Sequence, residues 1–191
     1  ALARESLTSL GRERALALVD KGTFVELGAL AHADDRERAG RSPGDGLITG
    51  YGRIEGRTVA IEANDATVLG GSNGMEAAVR KGDRVRDFAE EKGYPLVYLS
   101  EGGGGRVGDM MGWIMAKTGG MLSIRGHSNN PARRVPMAIA VLGQSYGSGA
   151  LNAGTATITV DVHDDCDARA DLRPWSELDG LVLRDAGVEA P

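Results

Sequence analysis

Four glycines in succession, Gly102–Gly105, separate the apolar run PLVYL from Arg106 and a helix-like stretch. Glycine costs roughly 0.5–1 kcal/mol against alanine inside regular structure, so four at the end of a strand must serve a purpose. Bare backbone offers one. Without a Cβ, a ligand oxygen can reach main-chain N–H groups, and a helix starting just beyond adds unpaired donors and the positive end of its dipole. Such a turn is a phosphate cradle or an oxyanion hole. The stretch QSYGSGALNAG, 144–154, repeats the arrangement after VPMAIAVLG, with Gly147, Ser148 and Gly149 at the helix entry. TVLGGSNG, 67–74, is a third small-residue turn, holding Gly70, Gly71 and Ser72. Two facing holes suit a reaction in which negative charge develops on two separate oxygens. The same turns also serve as tight corners of an α/β core, and the residues leave both readings open.

A second chemistry competes for the first turn. Gly103–Gly108 satisfies G-x-G-x-x-G between a strand and a helix, the dinucleotide-binding fingerprint. The acidic residue expected about 20 positions on to hold a ribose is replaced by Arg125 in MLSIRG, which suits a 2′-phosphate and therefore NADP. A glycine run meets that pattern almost automatically, and the hairpin before it fits poorly with a simple doubly wound start.

The elements that must position these turns read as follows. Residues 5–20 form an amphipathic helix on Leu7, Leu10, Ala15, Leu18 and Val19. TFVELGAL, 23–30, holds a short strand, and the polar stretch 31–45 is a mobile surface loop. GLITGYGRI, 46–54, and RTVAIEAND, 57–65, are strands joined by a tight turn at Glu55-Gly56. A helix over 75–93 presents Met75, Ala78, Val79, Val85, Phe88 and Ala89 on one face and stops at Gly93. PLVYLS is a buried strand, 107–118 a helix, VPMAIAVLG a buried strand and TATITVDV, 155–162, a last strand, while 121–134 stays ambiguous. Repeated β-β-α units with backbone-exposing turns predict an α/β protein with layered sheets. The tail from Asp161 is acidic, and WSELDGLVLRD, 175–185, reads as a short docking helix.

Bulk numbers narrow the class. At 191 residues, 41% hydrophobic and 26% charged, the chain is long and apolar enough for one sizeable core. A net charge of −5 argues against a general nucleic-acid binder. No stretch of eighteen apolar residues occurs, so no membrane span is expected, and the first residues lack a secretory h-region. The single Cys166 excludes an internal disulfide and a cysteine zinc cluster. A cytoplasmic location follows as the simplest expectation.

The text GRERALALVDKGTFVELGAL, then GDGLITGYGRIEGRTVAIEANDATVLGGSNG, then EKGYPLVYLSEGGGGRVGDMMG resembles, in order and spacing, the N-terminal half of the carboxyltransferase subunit of biotin-dependent acyl-CoA carboxylases and related decarboxylases, in the crotonase superfamily. The resemblance covers residues 10–160 and rests most on GDGLITGYGRIEGR and the DATVLGGS run. It implies a crotonase-like spiral of β-β-α units over 1–160 with the tail 161–191 outside it. The implied substrate is a coenzyme A thioester. The implied catalytic groups are the backbone N–H donors of Gly103, Gly104 and Gly105, joined by Gly147, Ser148 and Gly149, which stabilise a thioester enolate. Gly70, Gly71, Ser72, Arg106 and Tyr146 are the implied substrate contacts, Arg106 through thioester or phosphate oxygens. The resemblance also implies that carboxybiotin on a partner protein supplies CO2, that biotin receives it, or that the CO2 is released, with no side-chain nucleophile needed. Since the family usually pairs two such domains, a second carboxyltransferase-like subunit or a homo-oligomer is implied, with a biotin carrier protein beside it. A crotonase-like module that only assembles with a full subunit is a further alternative.

The remaining candidates carry less. His32, His127 and His163 share no ligand spacing; His127 is the outside candidate for an acid or base, and the run His163–Asp167 reads as solvated rather than as a metal site. Arg36, Arg38 and Arg41 on the polar loop are candidates for coenzyme A phosphates. Met110, Met111, Trp113 and Met115 read as core.

Overall fold

The segments LITGYGRI and RTVAIEAN fold into the hairpin expected from the two strand candidates and the Glu55-Gly56 turn. In the computed structural model, which describes residues 11–33, 35–74, 76–110 and 133–161, strand β2 (Leu47–Ile54) pairs antiparallel with β3 (Arg57–Asn64). The turn between them places Glu55 at φ 50° and Gly56 at φ 79°, the two positive-φ positions of a primed hairpin turn. The short β1 (Val25–Leu27) adds on the outer edge of β2, and Gly50 makes this possible: a Cβ there would stand 2.3 Å from the Val25 carbonyl oxygen.

From β3 onward the sheet is parallel. β5 (Leu96–Gly102) lies beside β3, β7 (Met137–Ser145) beside β5, and β8 (Ile158–Asp161) beside β7, completing a six-stranded sheet in the order β1-β2-β3-β5-β7-β8. A separate parallel ribbon joins β4 (Ser72–Asn73) to β6 (Gly104–Gly105).

Both faces of the large sheet are covered, since successive side chains point to opposite faces and apolar residues occupy both. On one side, Ala60, Leu96, Tyr98, Met137 and Ile139 pack with Ala78, Val85 and Ala89 of helix α3 (Ala77–Lys92). On the other, Val59, Ile61, Ala63, Val97 and Leu99 pack with Ala15 of helix α1 (Gly11–Leu18) and with Val19. Helix α3 ends at Gly93, which takes the left-handed conformation at φ 72° and ψ 28°. Phe88 of α3 stacks between Tyr51 and Tyr94, with ring centroids 5.3 and 5.7 Å away.

Two sequence expectations change here. The stretch 31–45 is not a plain mobile loop: it contains helix α2 (Arg36–Ala39), capped by the Asp35 carboxylate, and a turn at Pro43–Gly46 in which Ser42 and Asp45 are fully buried. Gly102–Gly105 is not a free loop either, because β5 runs through Gly102 and Gly104–Gly105 is a strand. Helix α4 (Val107–Met110) follows, and α5 (Ser148–Thr155) connects β7 to β8. The proposed helix beyond 110, Arg125, His127, His163, the run His163–Asp167 and the docking helix 175–185 lie outside the described residues. Among the described residues, no helix is long and apolar enough to cross a membrane.

Candidate functional site

The three glycine turns meet at the carboxyl ends of the parallel strands, where open α/β sheets place their ligands. Gly103 donates its N–H to the Gly71 carbonyl at 3.0 Å, and Tyr146 donates to the Gly102 carbonyl at 3.2 Å. The ribbon register sets Ser72 opposite Gly104 and Asn73 opposite Gly105. These approaches explain the glycines. A Cβ on Gly71 would sit 3.1 Å from the Gly102 Cα, and one on Gly103 would sit 2.8 Å from the Gly70 carbonyl oxygen. Gly104, at φ 82°, lies with its Cα about where a Gly147 Cβ would come to 3.8 Å. Gly70, Gly71, Ser72, Gly103, Gly104, Gly105, Tyr146 and Gly147 therefore form one cluster of bare backbone.

Helix α5 opens from this cluster. Gly147 takes φ 60° and ψ −123°, and Gly149 donates to the Tyr146 carbonyl at 3.3 Å, which makes residues 146–149 a type II′ turn with glycine at its first central position. The Gly147 N–H has no hydrogen-bond partner among the described residues, and the first donors of a helix have no partner within the helix itself. Gly149 has a different task. A Cβ there would strike the Ser145 hydroxyl at 2.6 Å, and that hydroxyl shares a 2.9 Å hydrogen bond with Ser100. The first turn of α5 thus rests on a hydroxyl pair that ties β5 to β7. Tyr146 is 57% exposed, so its ring borders the cluster from the solvent side.

Charges that the sequence did not reveal support the cluster from beneath. Arg106 points inward, with 6% of its surface exposed. Its Nη2 donates to the Ser72 carbonyl at 2.9 Å, and its Nη1 lies 2.8 Å from Asp45 Oδ1 and 3.1 Å from Asp109. The Asp45 contact is short but poorly aligned with the N–H, so it acts as an ion pair rather than a directed hydrogen bond. The other Asp45 oxygen accepts the Ala78 N–H at 3.2 Å, at the start of α3. Burial raises the Asp45 pKa, and Arg106 pulls it back. Arg38 extends the chain of charges by pairing with Asp109 at 2.9 Å and with Asp35 at 3.3 Å, while Arg36 and Arg41 are exposed. Asp45 stands in a run of three positive-φ residues, Gly44, Asp45 and Gly46. The buried Lys81 holds that run by donating to the Gly44 carbonyl at 2.9 Å and to the Leu47 carbonyl. Desolvation lowers the Lys81 pKa to about 8.

A polar ladder supports the neighbouring strand ends. Tyr98 donates to Asn64 Oδ1 at 2.7 Å, and Asn64 donates to Asn73 at 3.2 Å, so the buried amide links β3, β5 and the ribbon. His32 is exposed, with Nδ1 2.8 Å from the Ala33 carbonyl, remote in role from the cluster. Among the described residues no group of three or more His, Cys, Asp or Glu side chains is arranged for a metal ion. A cavity of about 540 Å³ beside Thr23, Tyr51, Arg53, Thr58, Phe88 and Tyr94 shares no residue with the glycine turns.

The dinucleotide reading of Gly103–Gly108 requires one tight turn from strand to helix. Here β6 intervenes, the Gly103 N–H is consumed by Gly71, and Arg106 faces inward, so the geometry does not favour it.

Comparison with known proteins agrees on one family. The carboxyl transferase domain matches residues 4–167. The biotin-dependent acetyl-/propionyl-coenzyme A carboxylase beta5 subunit of Mycobacterium tuberculosis is 46% identical over 99 residues, 50% of this chain and 18% of that protein. The propionyl-CoA carboxylase carboxyltransferase subunit of Haloferax mediterranei is 33% identical over 157 residues, 80% of this chain and 29% of that protein. The chain thus spans less than a third of the length of these curated relatives. Among solved structures, a single-chain, multi-domain long-chain acyl-CoA carboxylase superposes with a TM-score of 0.70 at 31% identity, covering 85% of this chain and 17% of that one. The crotonase-like α/β fold expected from the sequence is the fold of this chain.

Proposed function

The chain belongs to the carboxyl transferase domain family, and from that premise we propose that it forms the acyl-CoA half-site of a biotin-dependent carboxyltransferase, moving CO2 between a coenzyme A thioester and biotin on a partner protein. The observation that carries this reading is the meeting of three glycine turns beside the unpaired Gly147 amide at the entry of α5. A thioester carbonyl seated there gains negative charge as its α-carbon becomes nucleophilic. Fixed N–H donors stabilise that charge without reorganising, and removing one such donor typically costs roughly 10²–10³ in rate. Because Gly103 and Gly149 spend their amides within the fold, the donors in this proposal are Gly147 and Ser148, with the Gly104–Gly105 turn facing them. Tyr146 borders the acyl group, and Gly70, Gly71 and Ser72 form the opposite wall. Biotin supplies the carried carboxyl group; no residue here is assigned to it. A second carboxyltransferase-like domain, from a partner or a second copy, completes the site.

Thermal denaturation tests the proposal. Acetyl-, propionyl- and malonyl-CoA are compared with NADP at equal concentration. A thioester at about 100 times its dissociation constant stabilises by about 2.7 kcal/mol, a shift of several degrees. Stabilisation by NADP alone would overturn the reading, and no stabilisation by any thioester would favour a non-catalytic assembly module.

A further inference from the structure

We propose that Asp45 and Arg106 form a positioning clamp that holds the glycine ribbon in its working geometry from behind, and that Arg106 does not itself touch the substrate. The inference rests on the acyl-CoA reading for its kinetic consequence but not for its structural one. Arg106 ends the Gly102–Gly105 run and grips the ribbon twice. Its backbone N–H donates to the Asn73 carbonyl at 2.9 Å, and its guanidinium donates to the Ser72 carbonyl at 2.9 Å. The rest of the planar fork faces Asp45 and Asp109, and little of the residue reaches solvent. A guanidinium committed in this way has no face left for a thioester or a phosphate.

Asp45 is the anchor. Its carboxylate is fully buried and joins four segments: the Gly44–Gly46 turn that carries it, the Ala78 N–H that opens α3, the ribbon through Arg106, and, through that guanidinium, α4 at Asp109. The fold makes room for it at Gly74, where a Cβ would come within 1.9 Å of Asp45 Oδ2. Lys81 fixes the turn from the far side through the Gly44 and Leu47 carbonyls. The clamp therefore connects the sheet-facing helix α3 to the backbone lining the glycine cluster, with no atom of Asp45 exposed to a ligand.

Asp45→Asn tests this with little change of volume. An asparagine must turn its NH2 toward either Arg106 or the Ala78 N–H, both donors, so one contact is lost. Amide hydrogen exchange followed by NMR reads Gly103 and Arg106, whose N–H groups bond to Gly71 and Asn73. Both should exchange at least about ten-fold faster in Asp45→Asn, while Ala60 and Leu96 in the sheet keep their rates. Unchanged rates at Gly103 and Arg106, or acceleration across the whole chain in step with lost global stability, would overturn the clamp. If Asp45→Asn does not fold, Arg106→Lys, which keeps the charge but loses the fork, serves in its place.

Kinetics in the assembled enzyme separate positioning from contact. Asp45→Asn and Arg106→Gln should each lower kcat at least about ten-fold with KM for the acyl-CoA within about three-fold, and the double variant should be no worse than the single ones. A raised KM in Arg106→Gln with Asp45→Asn silent would assign Arg106 to the substrate and overturn the proposal. If the wild type turns over no coenzyme A thioester, the acyl-CoA reading fails while the exchange rates still decide the clamp.

Discussion

Lys81 offers the sharpest test of the buried charges, because burial has moved its titration into an accessible range. The side chain is 8% exposed, donates to two backbone carbonyls and lies near Glu26, Asp45 and Arg12. Desolvation, only partly offset by the two carboxylates, lowers its pKa from 10.5 to about 8. The unfolded chain therefore binds more protons than the folded one between pH 8 and 10.5, so this group adds stability as pH rises through that window. Each pH unit of separation is worth about 1.4 kcal/mol, which sets an upper bound of about 3.5 kcal/mol. The comparison is wild type against Lys81→Met, by urea unfolding at pH steps from 7 to 11. The variant leaves the Gly44 and Leu47 carbonyls without their donor, a loss that does not vary with pH, and the other titrating groups cancel in the difference. Wild type should gain on the variant from pH 8 to about 10.5 and then level off. A flat difference, or one that falls with pH, would refute the assignment of Lys81 as a desolvated ammonium.

Three further outcomes follow from the packing. Arg86 pairs with the buried Glu62 through two contacts, 2.6 and 2.7 Å, so Arg86→Met should cost about 3–5 kcal/mol in urea unfolding, and adding Glu62→Leu should restore much of it. A double variant no more stable than Arg86→Met would contradict this. Gly82 lies within α3 with ordinary clearance for a Cβ, 3.6 Å to Leu47 and 3.7 Å to Glu62, so Gly82→Ala should stabilise by about 0.5–1 kcal/mol, and a loss would show the face is tighter than drawn. Gly103→Ala would push a Cβ against the Gly70 carbonyl and should reduce both stability and acyl-CoA binding, whereas Gly70→Ala meets no atom within 4 Å and should cost only its backbone strain, about 1–2 kcal/mol. Equal losses in the two variants, measured by melting and by calorimetric titration, would argue against close chain approach as the reason for the run.

The hairpin, the buried strands and α3 were legible from local signals: short apolar runs bounded by turn residues along LITGYGRI and RTVAIEAN, and steps of seven and four along Ala78, Val85 and Ala89. The buried charges were not legible, and the reason is physical. Lys81 and Arg86 occupy the same helical stripe as those apolar residues, but their partners, Gly44, Leu47 and Glu62, lie 24 to 37 positions away. No local pattern distinguishes a charge that will find a distant partner from one that stays in water. The same holds for AHADDRERAGRSPGD: it reads as solvated, yet Ser42 and Asp45 are buried because Ala33 and Arg106 come to meet them. One signal was present in SPGDG, where glycine and aspartate, residue types that tolerate left-handed backbone, stand in succession.

The glycine run shows why composition alone could point to a site but not to its donors. Glycine admits a ligand, a neighbouring chain or a left-handed turn, and a run of four does not say which. The structure divides these uses among neighbours. Gly103 admits the Gly70 carbonyl and spends its N–H on Gly71; Gly149 admits a hydroxyl pair and spends its N–H on Tyr146; Gly104 and Gly147 supply positive φ where two turns face each other. An amide that holds the fold together cannot also meet a developing negative charge without breaking what positions it. The proposed donors therefore stand at the entry of α5, where helix geometry leaves N–H groups without intrahelical partners and no ladder bond is sacrificed. On this argument the conspicuous run builds the wall, and the less conspicuous Tyr146–Gly149 turn supplies the donors.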